Sequence, residues 1–359
     1  MPVQPPRLLP FIIVGCLAAL GAARCGAARS KSLHAKGTAA YLATNGLVVY
    51  DVRSKSSMPV AGGHIPMAFE LDHAGKRVAF LEAGQGVFVA SAPRWKLRRL
   101  YKLAPRSSFA GGWGFSRSLR WSPDDRRLVI HRKGDYFSRE PGEIILLDVK
   151  SGRVDRRIPL PRNTDAFEME WLTSATLMFT AQNGSWTIDV NEGLPSRITG
   201  VLGDGRYSMT PHPSPDGERI IYERNANYAE FKDKSRLVLV DVEKGELKSA
   251  DSPCAGEIEL SWIKRGIVGL CLDRKHKRIR TFSLDDDLHA HDEFDVATGA
   301  KLSWRAAEGT PAIGRWSGGW LVRLGTSELI VSHDGASRLV RDVPANSNPP
   351  PGRLSGISN

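Results

Sequence analysis

Cysteine is scarce in this sequence, with four in 359 residues. Cys16 and Cys25 lie in or beside an N-terminal apolar segment, so only Cys254 and Cys271 remain in the body. Two are too few for a cysteine-only zinc site or a disulfide-built scaffold. Catalytic signatures are missing too. There is no G-x-S-x-G elbow, no P-loop, no H-E-x-x-H and no EF-hand loop. Their absence argues against an attached serine hydrolase, a P-loop nucleotide enzyme, a zincin and a calcium-loop protein. No nucleic-acid recognition motif occurs either. Acidic residues fall short of basic ones, 39 against 50, which gives a formal net charge of +11. The basic residues are scattered along the chain, which reads as an Arg-rich solvated surface.

An apolar run from Leu8 to about Ala23 follows Arg7 and precedes Arg24, Arg29 and Lys31. It is short for a membrane span, which needs roughly 20 apolar residues. Residues 1–30 read as an export signal. Three fates stay open. Cleavage after Gly21-Ala22-Ala23 or Cys25-Gly26-Ala27 releases a soluble chain. Ile13-Val14-Gly15-Cys16 resembles a lipobox and makes Cys16 the lipidation candidate, although Leu17 to Ala23 stays apolar where a mature lipoprotein turns polar. The third fate is an uncleaved anchor. The expected location is exported, periplasmic or cell-surface, with membrane contact only through such an anchor. Export also bears on the two body cysteines. In an oxidising compartment a lone pair favours a disulfide. Folding a hairpin about Lys264-Arg265 brings Cys254 roughly opposite the Cys271 region. Two buried free thiols are the alternative.

Glycine and proline are plentiful, at 35 and 22, which suits many tight turns. They punctuate a repeat. Leu71-Asp72-His73-Ala74-Gly75-Lys76-Arg77-Val78-Ala79-Phe80, Trp121-Ser122-Pro123-Asp124-Asp125-Arg126-Arg127-Leu128-Val129-Ile130 and Pro213-Ser214-Pro215-Asp216-Gly217-Glu218-Arg219-Ile220-Ile221-Tyr222 share one plan. Each has a strand end, a turn, a basic residue and a short β-rich apolar strand. Proline presets φ, aspartate bonds its own backbone and glycine takes the left-handed position. Degenerate copies begin at Trp171, Trp262 and Trp316, so the equivalent position falls at 71, 121, 171, 213, 262 and 316. That period suits a four-stranded blade. A second signature, strand then Asp-x-x-x-Gly turn then strand, occurs at Ile144–Val154 and Leu237–Leu247. We read further copies at Val48–Ser54 and Phe294–Leu302.

Together these motifs resemble the TolB-like, WD40-like propeller repeat over roughly residues 38–344. The resemblance implies an all-β fold, a β-propeller of four-stranded antiparallel blades, acting mostly as a binding platform. Six units run from about Met67 to Val343. An earlier unit supplies only three strands: Ala39–Ala43, Leu47–Val52 and about Ser57–Val60. Seven blades are expected, with Arg353–Ser358 in the Pro-rich tail (345–359) adding the missing innermost strand. Six blades with an N-terminal cap is the alternative. The third strand of the sixth unit, around Arg274–Arg280, is not assignable from sequence.

In a propeller the second-to-third strand loops and the blade-to-blade loops share one face. Here that face receives Ala104–Ser116, His131–Glu143 and Glu223–Ser235. The binding candidates on these segments are Trp113, Tyr136, Phe137, Arg139, Tyr228 and Phe231, because aromatics beside arginine are common at binding surfaces. The competing reading folds these aromatics over the sheet ends. His289 and His291 are two apart, so one strand face would hold both. With Asp287 or Asp292 they are weak metal candidates, more readily read as solvated strand residues. No cofactor and no catalytic residue is assigned. The expected partner is a protein or an anionic cell-envelope component and not nucleic acid. A non-catalytic binding scaffold is the leading function, with a hydrolase or lyase using a polar or metal site in the central channel as the rival.

Overall fold

The computed structural model describes residues 37–357 apart from 104–118, 133–141, 162–165, 199–210, 225–235, 297–311, 343–354 and short gaps at 44–45, 65, 83, 182–183, 255, 265, 274–275, 317–318, 325–326 and 334–336. The described residues form strands β1 to β28 in seven four-stranded antiparallel sheets. Blade 1 holds β1 (Thr38–Ala43), β2 (Gly46–Asp51), β3 (Ser56–Gly62) and β28 (Ser355–Ile357), which lies inside β1. Blade 2 is β4 (Ala68–Leu71), β5 (Arg77–Glu82), β6 (Gly86–Ser91) and β7 (Lys96–Lys102). Blade 3 is β8 (Leu119–Trp121), β9 (Arg127–Arg132), β10 (Glu143–Asp148) and β11 (Val154–Pro159). Blade 4 is β12 (Ala166–Trp171), β13 (Thr176–Ala181), β14 (Gly184–Asp189) and β15 (Pro195–Arg197). Blade 5 is β16 (His212–Pro213), β17 (Arg219–Arg224), β18 (Arg236–Asp241) and β19 (Gly245–Asp251). Blade 6 is β20 (Glu257–Ile263), β21 (Gly266–Asp273), β22 (Arg278–Leu284) and β23 (Ala290–Asp295). Blade 7 is β24 (Ala312–Trp316), β25 (Gly319–Leu324), β26 (Ser327–Ser332) and β27 (Ser337–Asp342).

The blades follow one another radially. β4 lies beside β8, β8 beside β12, β12 beside β16 and β16 beside β20. β28 pairs with β1 (Ala39 opposite Ile357) and also touches β4 and β24, so the tail joins the last blade to the second. The expected closing strand is therefore present. The cap alternative falls, because β1–β3 belong to a complete sheet.

Inner strands are apolar on both faces because each blade is sandwiched between two others. Val78, Ala79, Phe80 and Leu81 of β5 are all fully buried. Phe80 joins the blade 1–2 layer, and Leu81 joins the 2–3 layer with Leu128, Ile130 and Ile145. Continuous apolar runs are the mark of strands covered on both sides. Outer strands are more polar and irregular. A bulge interrupts the pairing of β3, β7, β11, β19, β23 and β27 with their neighbours, and β15 is only three residues long. Bulges and shortness both blunt a free sheet edge.

The turn chemistry repeats in hydrogen bonds. Gly75, Asp125 and Gly217 donate to Asp72, Ser122 and Ser214 O at 2.8–2.9 Å, all three in the left-handed region with φ of 56–76°. In the other turn, Gly152 N donates to Asp148 O and Gly193 N to Asp189 O. The Asp189–Gly193 copy went unread in sequence, although its residues fit the pattern. Blade 6 corrects another reading. Its third strand is β22, and the turn aspartate is Asp285, whose carboxylate accepts from Asp287 N and His289 N. Phe294–Asp295 closes the fourth strand and does not lead a strand–turn–strand copy.

Candidate functional site

Two faces follow from strand direction. Short turns such as 72–76, 149–153 and 214–218 close one face. The connections 103–118, 133–142, 198–211, 225–235, 296–311 and 343–354 all leave from and return to the other. Trp113, Tyr136, Phe137, Arg139, Tyr228 and Phe231 belong to three of these segments and lie outside the described residues, as does Cys16. The strands flanking the segments are firmly held. Arg132 Nε and Arg157 Nη1 both donate to Glu143 Oε1, at 2.7 and 2.6 Å, at the base of segment 133–142. His64 Nδ1 lies 2.6 Å from Glu82 Oε2, with its ring against Phe80 and Phe88. Asp273 accepts from His276 N at 3.0 Å and lies 2.6 Å from its Nδ1. Burial opposes ionisation of Asp273, but these hydrogen bonds outweigh it and its pKa is lowered.

A row of charge runs across the innermost strands of blades 2, 3 and 4. Glu70, Arg120 and Glu170 each occupy the next-to-last position of the innermost strand in three successive blades. Arg120 Nη2 is 3.3 Å from Glu170 Oε1, and Nη1 is 3.5 Å from Glu70 Oε1. The same guanidinium donates to Met169 O and Leu119 O. Glu70 Oε2 accepts from Trp121 N at 2.7 Å. Burial pushes the Glu70 pKa up, against the pull of Arg120. Arg120 therefore ties blades 2, 3 and 4 together. Sequence reasoning missed this row. Its signal was legible: the residue before Leu71, Trp121 and Trp171 is charged each time.

The tryptophans at the repeat's first position also bridge blades. Trp121 Nε1 donates to Glu70 O and Trp262 Nε1 to His212 O, at 3.0 and 2.8 Å. The basic residue after the turn covers the next blade's ring: Arg77 over Trp121 at 4.7 Å and Arg219 over Trp262 at 5.2 Å. His73 adds a cross-blade pair, its Nδ1 2.7 Å from Asp125 Oδ1.

The two histidines singled out in sequence do not converge. His289 precedes β23 and lies 3.8 Å from Asp285, while His291 Nδ1 is 3.1 Å from Asp292. Asp287 instead pairs with Lys248 Nζ at 2.6 Å. Among the described residues no three His, Cys, Asp or Glu side chains gather as metal ligands. Cys254 and Cys271 are joined by a disulfide, with Cα atoms 5.6 Å apart, and both are buried. The bond fastens the link between blades 5 and 6 to the second strand of blade 6.

No protein-family profile and no curated protein matches the chain. Solved structures do match. A functionally unknown protein from Desulfotomaculum acetoxidans has a TM-score of 0.57 at 10% identity, over 90% of this chain and 99% of that one. An oligogalacturonate lyase in complex with manganese gives 0.54 at 13%, over 82% and 81%. The Cps50 (Swd1) β-propeller domain of Myceliophteria thermophila gives 0.53 at 17%, over 83% and 90%. TolB from Acinetobacter baumannii matches at 0.45 and 15%, over 72% of this chain and 63% of TolB, so this chain spans less than two thirds of that protein. Identities of this size carry the fold and nothing finer. The chain is a β-propeller of four-stranded antiparallel blades, the fold of these solved structures.

Proposed function

We propose that this protein is an exported, non-catalytic scaffold that binds a protein or an envelope component through its long-loop face. One observation carries the proposal: the long connections gather on one face, while hydrogen-bonded turns close the other. Loops on a rigid frame are where specificity is built. The test is a pull-down from envelope extract with the wild-type chain and with Trp113, Tyr136, Tyr228 and Phe231 changed together to Ala. A partner held by the first and lost by the folded variant supports the proposal. Equal recovery by both forms overturns the loop-face assignment. Mass analysis of the purified N-terminus tests export: a start after Ala23 or Ala27, or a lipidated Cys16, supports it, and an intact Met1 opposes it.

The second reading is a propeller hydrolase or lyase. Half-buried Glu70, with its raised pKa beside Arg120 and Glu170, favours it, since perturbed carboxyls cluster at functional sites. The neighbour that is an oligogalacturonate lyase shows that this fold can hold such an activity. Against it, the Arg120 donors are already engaged on Leu119, Met169 and Glu170. Turnover of oligogalacturonate that is abolished in Glu70→Gln would establish the second reading.

A further inference from the structure

Nine of the 50 basic residues gather on one part of the rim. The outermost strand of blade 2 and the turn before it, residues 94–102, carry Arg94, Lys96, Arg98, Arg99 and Lys102 and no acid. The matching part of blade 3 carries Lys150, Arg153, Arg156 and Arg157 against one acid, Asp155. All of these side chains are exposed.

The two outer strands are held side by side. The Arg98 guanidinium donates to Val149 O and Lys150 O. Arg157 Nη2 reaches Tyr101 Oη across the blade boundary at 2.6 Å. Gly152, in the turn before β11, sits so close to Leu100 that a Cβ would meet its carbonyl oxygen at 2.8 Å. Arg98 and Arg157 thus do structural work, while Arg94, Lys96, Arg99, Lys102 and Arg153 face solvent. The half-buried ring of Tyr101 lies at the boundary of blades 2 and 3, whereas that of Trp95 packs against the layer between blades 1 and 2.

We propose that the rim of blades 2 and 3 is a binding surface for a linear acidic glycan, with carboxylates meeting the basic side chains and a sugar ring resting on Tyr101 at the blade boundary. A membrane fits this rim poorly. The large exposed apolar side chains among the described residues, Met58, Leu194, Leu247 and Phe294, belong to blades 1, 4, 5 and 6 and offer nothing to insert here. The surface is separate from the long-loop face, so the two proposals stand or fall independently.

The probe is a polygalacturonate decamer, titrated into the full chain by calorimetry. Its fully methyl-esterified form serves as the neutral control and a single-stranded DNA of equal charge as the competing polyanion. The variant is Lys96→Gln, Arg99→Gln, Lys102→Gln and Arg153→Gln combined. A charge-matched control alters Lys55, Lys244, Lys264 and Lys277 to Gln, on other blades. We expect the acidic decamer to bind and its ester not to. The rim variant should lose about tenfold or more in affinity and show a shallower salt dependence, because fewer counterions are released. The control variant should bind as wild type. Equal loss in both variants, no binding by wild type, or tighter binding of DNA than of the decamer would overturn the proposal. Unchanged thermal unfolding of the rim variant confirms that the loss is not a folding defect.

Discussion

His73 and Asp125 show how one cross-blade pair links stability to pH. Burial lowers the His73 pKa, but the hydrogen bond and charge of Asp125 outweigh it and raise the value above the ordinary 6.5. Burial raises that of Asp125, yet the hydrogen bonds from His73 leave it below the ordinary 3.8. A raised histidine stabilises fully below its unfolded pKa and loses that contribution as pH rises through the folded one. A lowered carboxylate stabilises above its unfolded value and loses that contribution as pH falls through the folded one. The melting-temperature gap between wild type and His73→Ala should be widest between about pH 4 and 6.5 and close above that window. A gap independent of pH would contradict the linkage. At the same scale, Arg120→Leu leaves the half-buried Glu70 and Glu170 without their counter-charge. Denaturant unfolding should show a loss of about 3–5 kcal/mol. Adding Glu70→Gln should recover part of it.

Within a blade, the turn is the unit that sequence writes most clearly. Gly217 sits at φ +76°, and a Cβ there would meet Leu172 O of the preceding blade at 2.5 Å. Gly217→Ala should therefore cost about 1–2 kcal/mol, more than a left-handed turn residue free of neighbours. The disulfide acts at this scale as well. Cys254 and Cys271 are 17 residues apart, and closing a loop of that size stabilises by about 3 kcal/mol. Cys254→Ser with Cys271→Ser should lower the unfolding free energy by about that amount. A reducing agent should do the same to wild type and nothing to the double variant. The outer strands carry the element-level defence against edge pairing, through bulges in six blades and a three-residue strand in blade 4.

For the molecule as a whole, ring closure rests on Ser355–Ile357. These residues supply the innermost strand of blade 1 from the far end of the described chain and lie between β24 and β4. Removing residues 345–359 should lower the melting temperature by about 5 °C, since a protein of this size shifts roughly 2 °C per kcal/mol. An unchanged melting temperature would show that the strand does not close the ring.

Local chemistry alone determined the repeat. The turn residues at Asp72–Gly75, Ser122–Asp125 and Ser214–Gly217 are needed for φ and for short-range hydrogen bonds, so they appear in sequence at fixed offsets. The apolar strands after them are buried on both sides and read as unbroken runs. Blade spacing followed from these, and the first unit's missing innermost strand pointed to the tail as the closing strand. Other features arise only when blades meet. Glu70, Arg120 and Glu170 are about 50 residues apart and become neighbours through radial stacking. The stacking of Arg77 on Trp121 also needs two blades to meet, and the third strand of blade 6 had no local signature. The basic rim is the clearest case. Its residues occur in two runs about 50 positions apart, and only the side-by-side packing of β7 and β11 makes one surface of them.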